Sequence, residues 1–364
     1  MKDYKILVIN PGSTSTKLSY FINEKNVYTD DIFHDSSFLK TFDTINDQLD
    51  YRMEVIDEFT KKHNIDLNKV DAIASRGGPS YSVEGGTYEV DDKLIEDTKA
   101  SKGGLYHSSM LGVQMAKKIS DKYHMPIYMS DPTVTDEYSD LARVTGIDGI
   151  YRKAICHALN LKVVARKYAN SINKKYEDLN LIVCHIDGGI TITAHDHGRM
   201  VDGNDGGGGD GPFTPTRMGS MAITDVVRYL WDKPKSEMLN LCSCTGGLSN
   251  YFNTSNSDEI HKLVGKDIKV TRVWNAMIYQ VAKAIGSMAC VLNGKVDGII
   301  LTGGLMRFDD VYQMIFERCA WIAPIKVYEG EHEQEALALN TLEVLKNQRQ
   351  AKKYTGKPVW DGFK

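Results

Sequence analysis

Two short stretches of the sequence combine the residue types that bind phosphate groups. In the first, the apolar run 6–9 is followed by Asn10, a turn at Gly12, and the hydroxyl residues Ser13 and Thr14. A buried strand that ends in a polar glycine turn presents backbone N–H groups and hydroxyls to phosphate oxygens. The amide of Asn10 can contact substrate or metal-bound water. Taken alone, this stretch is equally compatible with a polar hairpin turn.

The same order of residue types recurs 177 positions later, where the apolar run 181–186 precedes an acidic residue and two glycines. The alignment pairs Asn10 with Asp187, Gly12 with Gly189 and Thr14 with Thr191. This repetition favours phosphate binding by both turns and predicts two similar halves that face each other across a nucleotide. A glycine pair at 303–304 follows a third apolar run, and missing side chains there would let an adenine or ribose approach the backbone.

Four further polar residues have side chains that suit phosphoryl transfer, and each follows a predicted strand or lies in a short, distinctive loop. They are Arg76, Asp131, His157 and Arg217. Arginines and an imidazolium stabilise a migrating phosphoryl group because its equatorial oxygens carry the charge. A carboxylate can hold Mg²⁺ or orient the acceptor. Any one of them alone would more simply be a surface or capping residue, but together with two phosphate turns they predict an active site.

Alternating strand and helix patterns predict the elements that hold these residues. The first half predicts strands at 6–9, 18–22, 72–75 and 127–130, with helices at 49–62 and 110–123. The second half predicts strands at 181–186, 191–194 and 298–302, with helices near 220–231 and 273–292. Such alternation indicates a sheet flanked by helices in each half. The tail 335–352 predicts a long terminal helix that packs back on the first half.

Length and composition limit the class of protein. A chain of 364 residues predicts two domains, and 42% apolar with 25% charged residues is typical of globular proteins. A net charge of −4 argues against nucleic acid or an anionic membrane as partner. The six cysteines contain no Cys-x-x-Cys pair, which predicts reduced thiols. No apolar run suits a signal peptide or approaches the roughly 20 residues of a membrane span. We expect a cytoplasmic protein.

One glycine-rich run interrupts the second half. Six of the nine residues 203–211 are glycine. A structureless tether inside a domain is uncommon, so the run predicts a mobile loop over an active site.

Segments in order across nearly the whole chain resemble the acetate and butyrate kinase family, within the actin-like ATPase superfamily, and most closely its butyrate kinases. They are 8–17, 75–79, 106–112, 130–132, 152–160, 184–189, 211–219, 301–304 and 330–333. The resemblance implies a two-domain actin-like ATPase (ribonuclease H-like) α/β fold with duplicated βββαβα cores and an ATP cleft between them. We expect a first domain of residues 1–165 plus a C-terminal helix at about 336–364, and a second domain of residues 166–335.

The family implies reversible, Mg²⁺-dependent, direct in-line transfer of the ATP γ-phosphoryl group to a carboxylate, which gives ADP and an acyl phosphate. The expected acceptor is butyrate or a related short or branched carboxylate. An acetate or propionate kinase is the nearest alternative, and a sugar or other hydroxyl kinase of the same superfamily is another. A non-enzymatic ATP-binding sensor of the same fold is an alternative from a different class.

The resemblance also assigns roles to individual residues. Arg76 and Arg217 would hold the carboxylate and the transferring phosphoryl group, and His157 would bond its equatorial oxygens. Asp131 would act near the acceptor, and His107 would support the substrate pocket. The implied ATP-binding residues are Asn10, Gly12, Ser13, Thr14, Lys17, His185, Asp187, Gly188, Gly189, Gly303 and Gly304.

Magnesium and its waters would be oriented by Asn10 and Glu333, although Glu331 and Glu335 are alternatives to Glu333. The second turn departs from the family pattern because Asp187 stands where butyrate kinases usually have glycine, and a carboxylate there could alter metal placement. The glycine-rich run is also richer in glycine than the family pattern.

The superfamily resemblance further implies a homodimer or higher homo-oligomer. Three tryptophans, Trp231, Trp274 and Trp321, are candidate interface residues. Burial in the core of one chain would explain the same tryptophans equally well.

Overall fold

The computed structural model of this chain describes residues 2–104 and 106–363. These residues divide into two compact units: the first combines the chain up to Asp136 with the chain from His332 onward, and the second spans Glu137–Glu331. Each unit contains one mixed sheet with helices packed against it. The α/β architecture predicted from the sequence is confirmed.

Strands and helices alternate along the described chain. The strands are β1 (Lys5–Pro11), β2 (Ser15–Ile22), β3 (Lys25–Phe33), β4 (Ala72–Ser75), β5 (Thr87–Glu89), β6 (Ile127–Ser130), β7 (Asn180–Ile186), β8 (Ile190–Asp196), β9 (Arg199–Gly203), β10 (Gly298–Gly303) and β11 (Ile325–Glu329). The helices are α1 (Ser36–Leu39), α2 (Leu49–Lys62), α3 (Asp92–Lys99), α4 (Met110–Tyr123), α5 (Asp140–Arg143), α6 (Ala158–Ser171), α7 (Ile223–Leu230), α8 (Lys235–Ser243), α9 (Gly247–Phe252), α10 (Ser257–His261), α11 (Ile268–Val291), α12 (Asp309–Cys319) and α13 (Glu333–Leu345).

The two sheets have matching strand orders. In the first unit the order is β3-β2-β1-β4-β6-β5, and in the second it is β9-β8-β7-β10-β11 when counted in the corresponding direction. Each sheet begins with an antiparallel meander of three strands, and its first strand then pairs in parallel with a fourth. Only the edge strand β5 lacks a counterpart among the described residues. The duplicated core predicted from the repeated turn is therefore confirmed.

The first strand of each sheet lies at the centre of its unit. In β1 the four apolar residues Ile6 to Ile9 are fully buried because helices cover both faces of the sheet. Continuous apolar runs are typical of strands buried on both faces. Helices α2 and α4 pack near β1 and β2, and α13 packs against β1, β4 and β6. The terminal helix thus packs on the first unit as predicted, but it ends at Leu345, before Asn347 adopts a left-handed conformation with φ of 57°.

The division between the units differs from the predicted boundary at residue 165. Helix α6 packs against β7 and β10, and Lys162 Nζ on that helix contacts Glu137 Oε1 at 2.8 Å. Glu137 Oε2 also accepts a hydrogen bond from the backbone of Met200 at 2.8 Å. Residues 137–165 therefore belong with the second sheet, because a buried ion pair and a helix face join them to it.

Burial separates the three tryptophans that were candidate interface residues. Trp274 is fully buried in the core of the second unit, and its Nε1 donates to Asp310 Oδ2 at 2.9 Å, so it is a core residue. Trp231 and Trp321 are 73% and 80% exposed. All six cysteines are free thiols. Within residues 2–104 and 106–363, no helix has the length and apolar character needed to cross a bilayer.

Candidate active site

The first predicted phosphate turn joins β1 to β2 in a tight hairpin. The backbone N–H of Gly12 donates to Ser15 O at 2.8 Å, and Thr14 O accepts from the backbone N–H of His34 at 2.8 Å. Ser13 and Thr14 are exposed, so their hydroxyls face solvent. Lys17, on β2, contacts Asp31 Oδ2 at 3.5 Å. The turn is thus fixed by its backbone and presents two hydroxyls.

Three of the predicted site residues meet at the end of β1. Arg76 follows β4 directly, Asn10 lies near the end of β1, and Glu333 is the first residue of α13. Arg76 Nη1 donates to Asn10 Oδ1 at 3.2 Å and lies 3.3 Å from Glu333 Oε2. Asn10 Nδ2 also donates to Glu333 Oε2, at 2.9 Å. Parallel strands end at the same edge of a sheet, which explains how residues distant in sequence come together here.

The free edge of Arg76 is the most informative feature of this cluster. Among the described residues, its Nε and Nη2 have no hydrogen-bonding partner, whereas Nη1 is held by Asn10 and Glu333. The Nε–Nη2 edge of a guanidinium binds a carboxylate through two parallel hydrogen bonds. The cluster therefore fixes an arginine and leaves its bidentate edge available to a ligand.

His107 contacts the first turn through a defined ring nitrogen. The backbone N–H of Ser109 donates to His107 Nδ1 at 3.1 Å, so this nitrogen carries no proton. The proton of the neutral ring then lies on Nε2, which is 3.2 Å from Ser13 Oγ and donates to it. The predicted supporting role of His107 gains a specific contact.

Asp131 lies in an unusual backbone conformation beside the Arg76 segment. Its φ is 39°, in the left-handed region that few non-glycine residues adopt, and it is 1% exposed. Its Oδ1 accepts from the backbone N–H of Gly86 at 2.7 Å. A Cβ on Gly77 would lie 2.6 Å from Pro132 Cβ, so glycine is needed for these two segments to approach.

The second predicted turn, in the other unit, is held by its own carboxylate. Asp187 follows β7, its Oδ1 accepts from the backbone N–H of Gly188, and its Oδ2 accepts from that of Gly304, both at 2.7 Å. The hydroxyls of Thr214 and Thr216 donate to Gly188 O at 2.7 and 3.0 Å. Asp187 therefore joins the end of β7 to the segment after β10.

Glycine at 303 and 304 has a packing reason in this structure. Gly303 has φ of 103°, and a Cβ there would meet the backbone of Ile186. A Cβ on Gly304 would lie 2.7 Å from Asp187 Oδ2. Both glycines make room for the end of β7, and the predicted approach of adenine or ribose stays a prediction.

Two histidines of the second unit stack on each other. The rings of His157, at the N-terminus of α6, and His185, in β7, are 4.1 Å apart between centroids and inclined by 26°. His157 Nδ1 is 3.1 Å from Thr191 Oγ1. Asn160 Nδ2 is 2.9 Å from His185 Nδ1 and donates to it, which places the proton of the neutral ring on Nε2. The fully buried Asn160 thus orients His185.

Arg217 is largely buried and incompletely bonded. Its Nη1 donates to Gly206 O, while its buried Nε has no hydrogen-bond partner among the described residues. Burial lowers the pKa of this guanidinium below its usual range, and the carboxylate of Asp205 opposes that shift. Gly189 lies against it: a Cβ there would be 2.6 Å from Arg217 Cζ. A buried arginine donor without a partner is expected where a ligand completes the bonding.

The glycine-rich run is densely hydrogen-bonded. Asp205 Oδ1 accepts from the backbone N–H groups of Gly207 and Gly208, both at 2.8 Å. Burial raises the pKa of Asp205, and these backbone bonds oppose the rise. Arg152 contacts Asp202 at 2.8 Å and Asp210 at 3.5 Å at the two sides of the run. These contacts do not measure motion, so the mobility predicted for this loop stays a prediction.

One further group of the second unit could hold a metal ion. His185, Asp187 and Glu331 each offer one ligand atom, and these atoms lie within 4.8 Å of one another. The three predicted glutamates are thus separated: Glu333 contacts Asn10 and Arg76, Glu331 lies in this group, and Glu335 lies 3.7 Å from His332 Nδ1.

Two residues near the turns, Asn160 and Arg52, are not among the site residues predicted from the sequence. Asn160 was overlooked because a polar residue in a helix gives no sign of its partner. Arg52 lies on α2 and hydrogen-bonds to the first turn from inside the unit. A signal existed for Arg52, since it occupies the same helix face as the buried Val55, Ile56 and Phe59.

Comparisons with known proteins agree with this architecture. The sequence profile of the acetokinase family matches residues 134–314. Over 354 residues the chain is 42% identical to a probable butyrate kinase of Clostridium botulinum (strain Alaska E43 / Type E3). The matched region covers 96% of this chain and 99% of that relative.

Solved structures show the same fold at low sequence identity. A propionate kinase from Francisella tularensis subsp. tularensis SCHU S4 superimposes with a TM-score of 0.74 at 18% identity, covering 93% of this chain and 98% of that one. Porphyromonas gingivalis acetate kinase gives a TM-score of 0.75 at 15% identity, covering 94% and 100%. With the close relative matched over nearly its whole length, the chain belongs to the acetokinase family of carboxylate-phosphorylating kinases.

Proposed function

We propose that this chain transfers the γ-phosphoryl group of ATP to the carboxylate of a short-chain fatty acid, with butyrate as the preferred acceptor, and that the products are ADP and an acyl phosphate. The observation that carries the proposal is the available Nε–Nη2 edge of Arg76, held in place by Asn10 and Glu333. The relative that is 42% identical is named a probable butyrate kinase, which supports the choice of acceptor.

Arg76 is proposed to bind the acceptor carboxylate. The ion contact at 3.3 Å with Glu333 and the hydrogen bond at 3.2 Å with Asn10 fix its Nη1 side. A guanidinium already fixed loses less side-chain freedom when a ligand binds, so its two remaining donors orient the carboxylate oxygens at lower cost. His107 would hold the Ser13 hydroxyl oriented at the first turn.

The oxygen donors beside Arg76 suit magnesium. Mg²⁺ prefers hard oxygen ligands and usually keeps several waters, and the carboxylate of Glu333 and the amide oxygen of Asn10 are of this type. The group formed by His185, Asp187 and Glu331 contains a nitrogen donor, which suits transition metals better. We therefore propose Asn10 and Glu333 as the residues that orient Mg²⁺ and its waters. When bound, Mg²⁺ would neutralise charge on the phosphate oxygens.

Residues of the second unit are proposed to bind the transferring group and the nucleotide. The partnerless donor of Arg217 would complete its bonding on phosphoryl oxygens, and His157 would donate to the same group. Phosphoryl transfer depends almost entirely on positioning and on stabilising charge at the equatorial oxygens. In the first unit, Asp131 would orient the acceptor, because its backbone is held in an unusual conformation directly after β6.

A hydroxylamine trapping assay tests the proposal directly. The purified chain is incubated with ATP, Mg²⁺ and acetate, propionate, butyrate or isobutyrate, and hydroxamate and ADP are measured together. We expect butyrate and isobutyrate to give the highest kcat/KM, with acetate lower by roughly 10- to 200-fold per methylene lost. A maximum at acetate would overturn the acceptor while leaving the carboxylate kinase intact.

Alternative functions give distinct results in the same assay. A hydroxyl kinase would release ADP with sugars but not with carboxylates, and no hydroxamate would form. A non-enzymatic sensor would bind ATP without releasing ADP with either class of acceptor. Arg76→Lys supplies the internal control, because it keeps the charge but lacks the bidentate edge: we expect KM for butyrate to rise more than KM for ATP.

A further inference from the structure

The first turn rests on a buried arginine. Arg52, on α2, has no solvent-exposed surface. Its Nη1 donates to Gly12 O at 3.1 Å, Ser15 O at 3.1 Å and Thr16 Oγ1 at 2.9 Å. Its Nε and Nη2 both donate to Gln48 Oε1, at 3.2 and 3.1 Å. One end of the guanidinium therefore holds the turn, and the other end is held by the residue one helical turn earlier.

The hydrogen-bonding partners of Arg52 are all neutral. They are two backbone carbonyls, an amide and the Thr16 hydroxyl. Thr16 Oγ1 accepts from Arg52, so its own hydrogen points to His34 Nε2 at 2.8 Å. His34 Nδ1 then donates to Tyr51 Oη at 3.0 Å. The ring of His34 is therefore neutral, and within the described chain no carboxylate forms an ion pair with Arg52.

A buried cation without a carboxylate is costly and uncommon. Buried charges in proteins are normally paired, and burial lowers the pKa of Arg52 to about 10, which still leaves it charged at neutral pH. Burial, followed by the charge of Arg52, lowers the pKa of His34 to about 4. Arg52 retains this charge while it hydrogen-bonds directly to the turn that carries the exposed residues Ser13 and Thr14.

We propose that Arg52 is a positioning residue that makes the turn Gly12–Ser15 an anion site, fixing its backbone and supplying a positive charge beneath it for the oxygens of a phosphoryl group. The proposal rests on the proposed function for the identity of the anion. Two effects are separable. The buried charge attracts an anion that binds at the turn, because the protein between the guanidinium and the turn screens the charge less than water does. The double contact with Gly12 O and Ser15 O holds the N–H groups and hydroxyls in one arrangement.

Two substitutions separate charge from geometry. Arg52→Met removes both, whereas Arg52→Lys keeps a charge but cannot bridge two carbonyls and Gln48 together. Phe59→Leu is the matched control, because Phe59 is buried on the same helix face and lies seven positions beyond Arg52 along α2. The measurements are the dissociation constant for inorganic phosphate by calorimetry, kcat and KM for ATP and butyrate, and the melting temperature.

With Arg52→Met, we expect the phosphate dissociation constant to rise at least 10-fold and kcat to fall at least 100-fold, beyond the change in Phe59→Leu. With Arg52→Lys, phosphate affinity stays within about 3-fold of the unmodified chain while kcat falls at least 10-fold. If Arg52→Met binds phosphate as tightly as the unmodified chain and has the same kcat, the proposal is overturned. If Arg52→Met does not fold, wild-type kcat in Arg52→Lys overturns it.

The phosphate titration also separates this proposal from the proposed function. If the unmodified chain makes no acyl phosphate, the kinase proposal fails. A loss of phosphate affinity in Arg52→Met would then still establish the anion site. If the kinase is active and Arg52→Met binds phosphate normally, the kinase proposal stands and the role of Arg52 is refuted.

Discussion

Adding one methyl group at Gly189 should slow the reaction on the order of 10²-fold without unfolding the chain. A Cβ at this position would lie 2.6 Å from Arg217 Cζ and 2.8 Å from its Nη2. Carbon atoms in contact prefer about 3.5–4.0 Å, so the guanidinium must move by roughly 1 Å. The obstacle is the end of a flexible side chain, and the chain can therefore fold around Gly189→Ala by displacing Arg217.

The size of the effect follows from that displacement. A misplacement of about 1 Å at a reacting centre costs on the order of 10²-fold in rate, equivalent to about 2.7 kcal/mol of transition-state stabilisation. Complete removal in Arg217→Ala should cost about 10³-fold, the upper value for losing one charged donor to developing charge. Steady-state kinetics with butyrate and ATP measure both, and we expect the loss to appear in kcat.

The double variant tests whether the methyl group acts through the arginine. Gly189→Ala combined with Arg217→Ala should be no slower than Arg217→Ala alone, because the displaced group is then absent. Gly286→Ala, in α11, is the control: its Cβ meets nothing within 4 Å, so activity should be unchanged. Wild-type kcat in Gly189→Ala would refute the role of Arg217, and additive losses would show that the methyl group acts elsewhere.

Three further predictions concern protonation and assembly. Asn160→Asp should move the proton of His185 from Nε2 to Nδ1, because a carboxylate accepts where the amide donates; ¹⁵N NMR of the ring nitrogens reports the tautomer, and an unchanged spectrum would contradict the assignment. His34 has a folded-state pKa of about 4 against about 6.5 unfolded, so the folded state binds fewer protons and stability should fall by at most about 3 kcal/mol between pH 6.5 and 4. Urea unfolding should show that His34→Gln reduces this slope, and an equal slope would exclude His34 as its source. We propose a homodimer, so light scattering should give about twice 40.7 kDa, and Trp231→Glu or Trp321→Glu should lower that mass; a mass near 40.7 kDa for the unmodified chain would reject the dimer.

Local sequence signals predicted several elements closely. Helices 49–62 and 110–123 have the predicted bounds, because each combines an apolar stripe with adequate length. The predicted strands 72–75 and 127–130 also match. The predicted helix 335–352 extends beyond the observed end of α13 at Leu345. Residues that favour helices, such as Gln348, Gln350 and Lys352, continue past Leu345. The left-handed Asn347 nevertheless ends the helix, and its conformation depends on surroundings that composition does not contain.

The repeated turn was predicted correctly as a duplication, but not residue by residue. Asn10 lies inside β1 and pairs with Lys17, whereas Asp187 lies beyond the end of β7 at Ile186. The aligned residues therefore occupy different positions in their hairpins. Where a strand ends depends on its partner strands, and an alignment of residue types alone cannot supply that information.

The candidate site was predictable where residues follow strand ends. Asn10 and Arg76 meet because β1 and β4 are adjacent and parallel. Glu333 contacts Asn10, and its role with magnesium stays a prediction. Arg52 was not predictable in the same way. Its function depends on which carbonyls lie beneath α2, and only the packed structure brings Gly12 O and Ser15 O to its guanidinium.

The two turns share a topology but differ in the charged side chain beside them. The first has the guanidinium of Arg52 beneath it and exposed hydroxyls above. The second contains the carboxylate of Asp187, which already accepts the backbone N–H groups of Gly188 and Gly304. Those N–H groups therefore cannot donate to phosphate while Asp187 stays in place. An anion near the second turn would need a compensating cation, and Arg217, packed against Gly189, is in position to provide it.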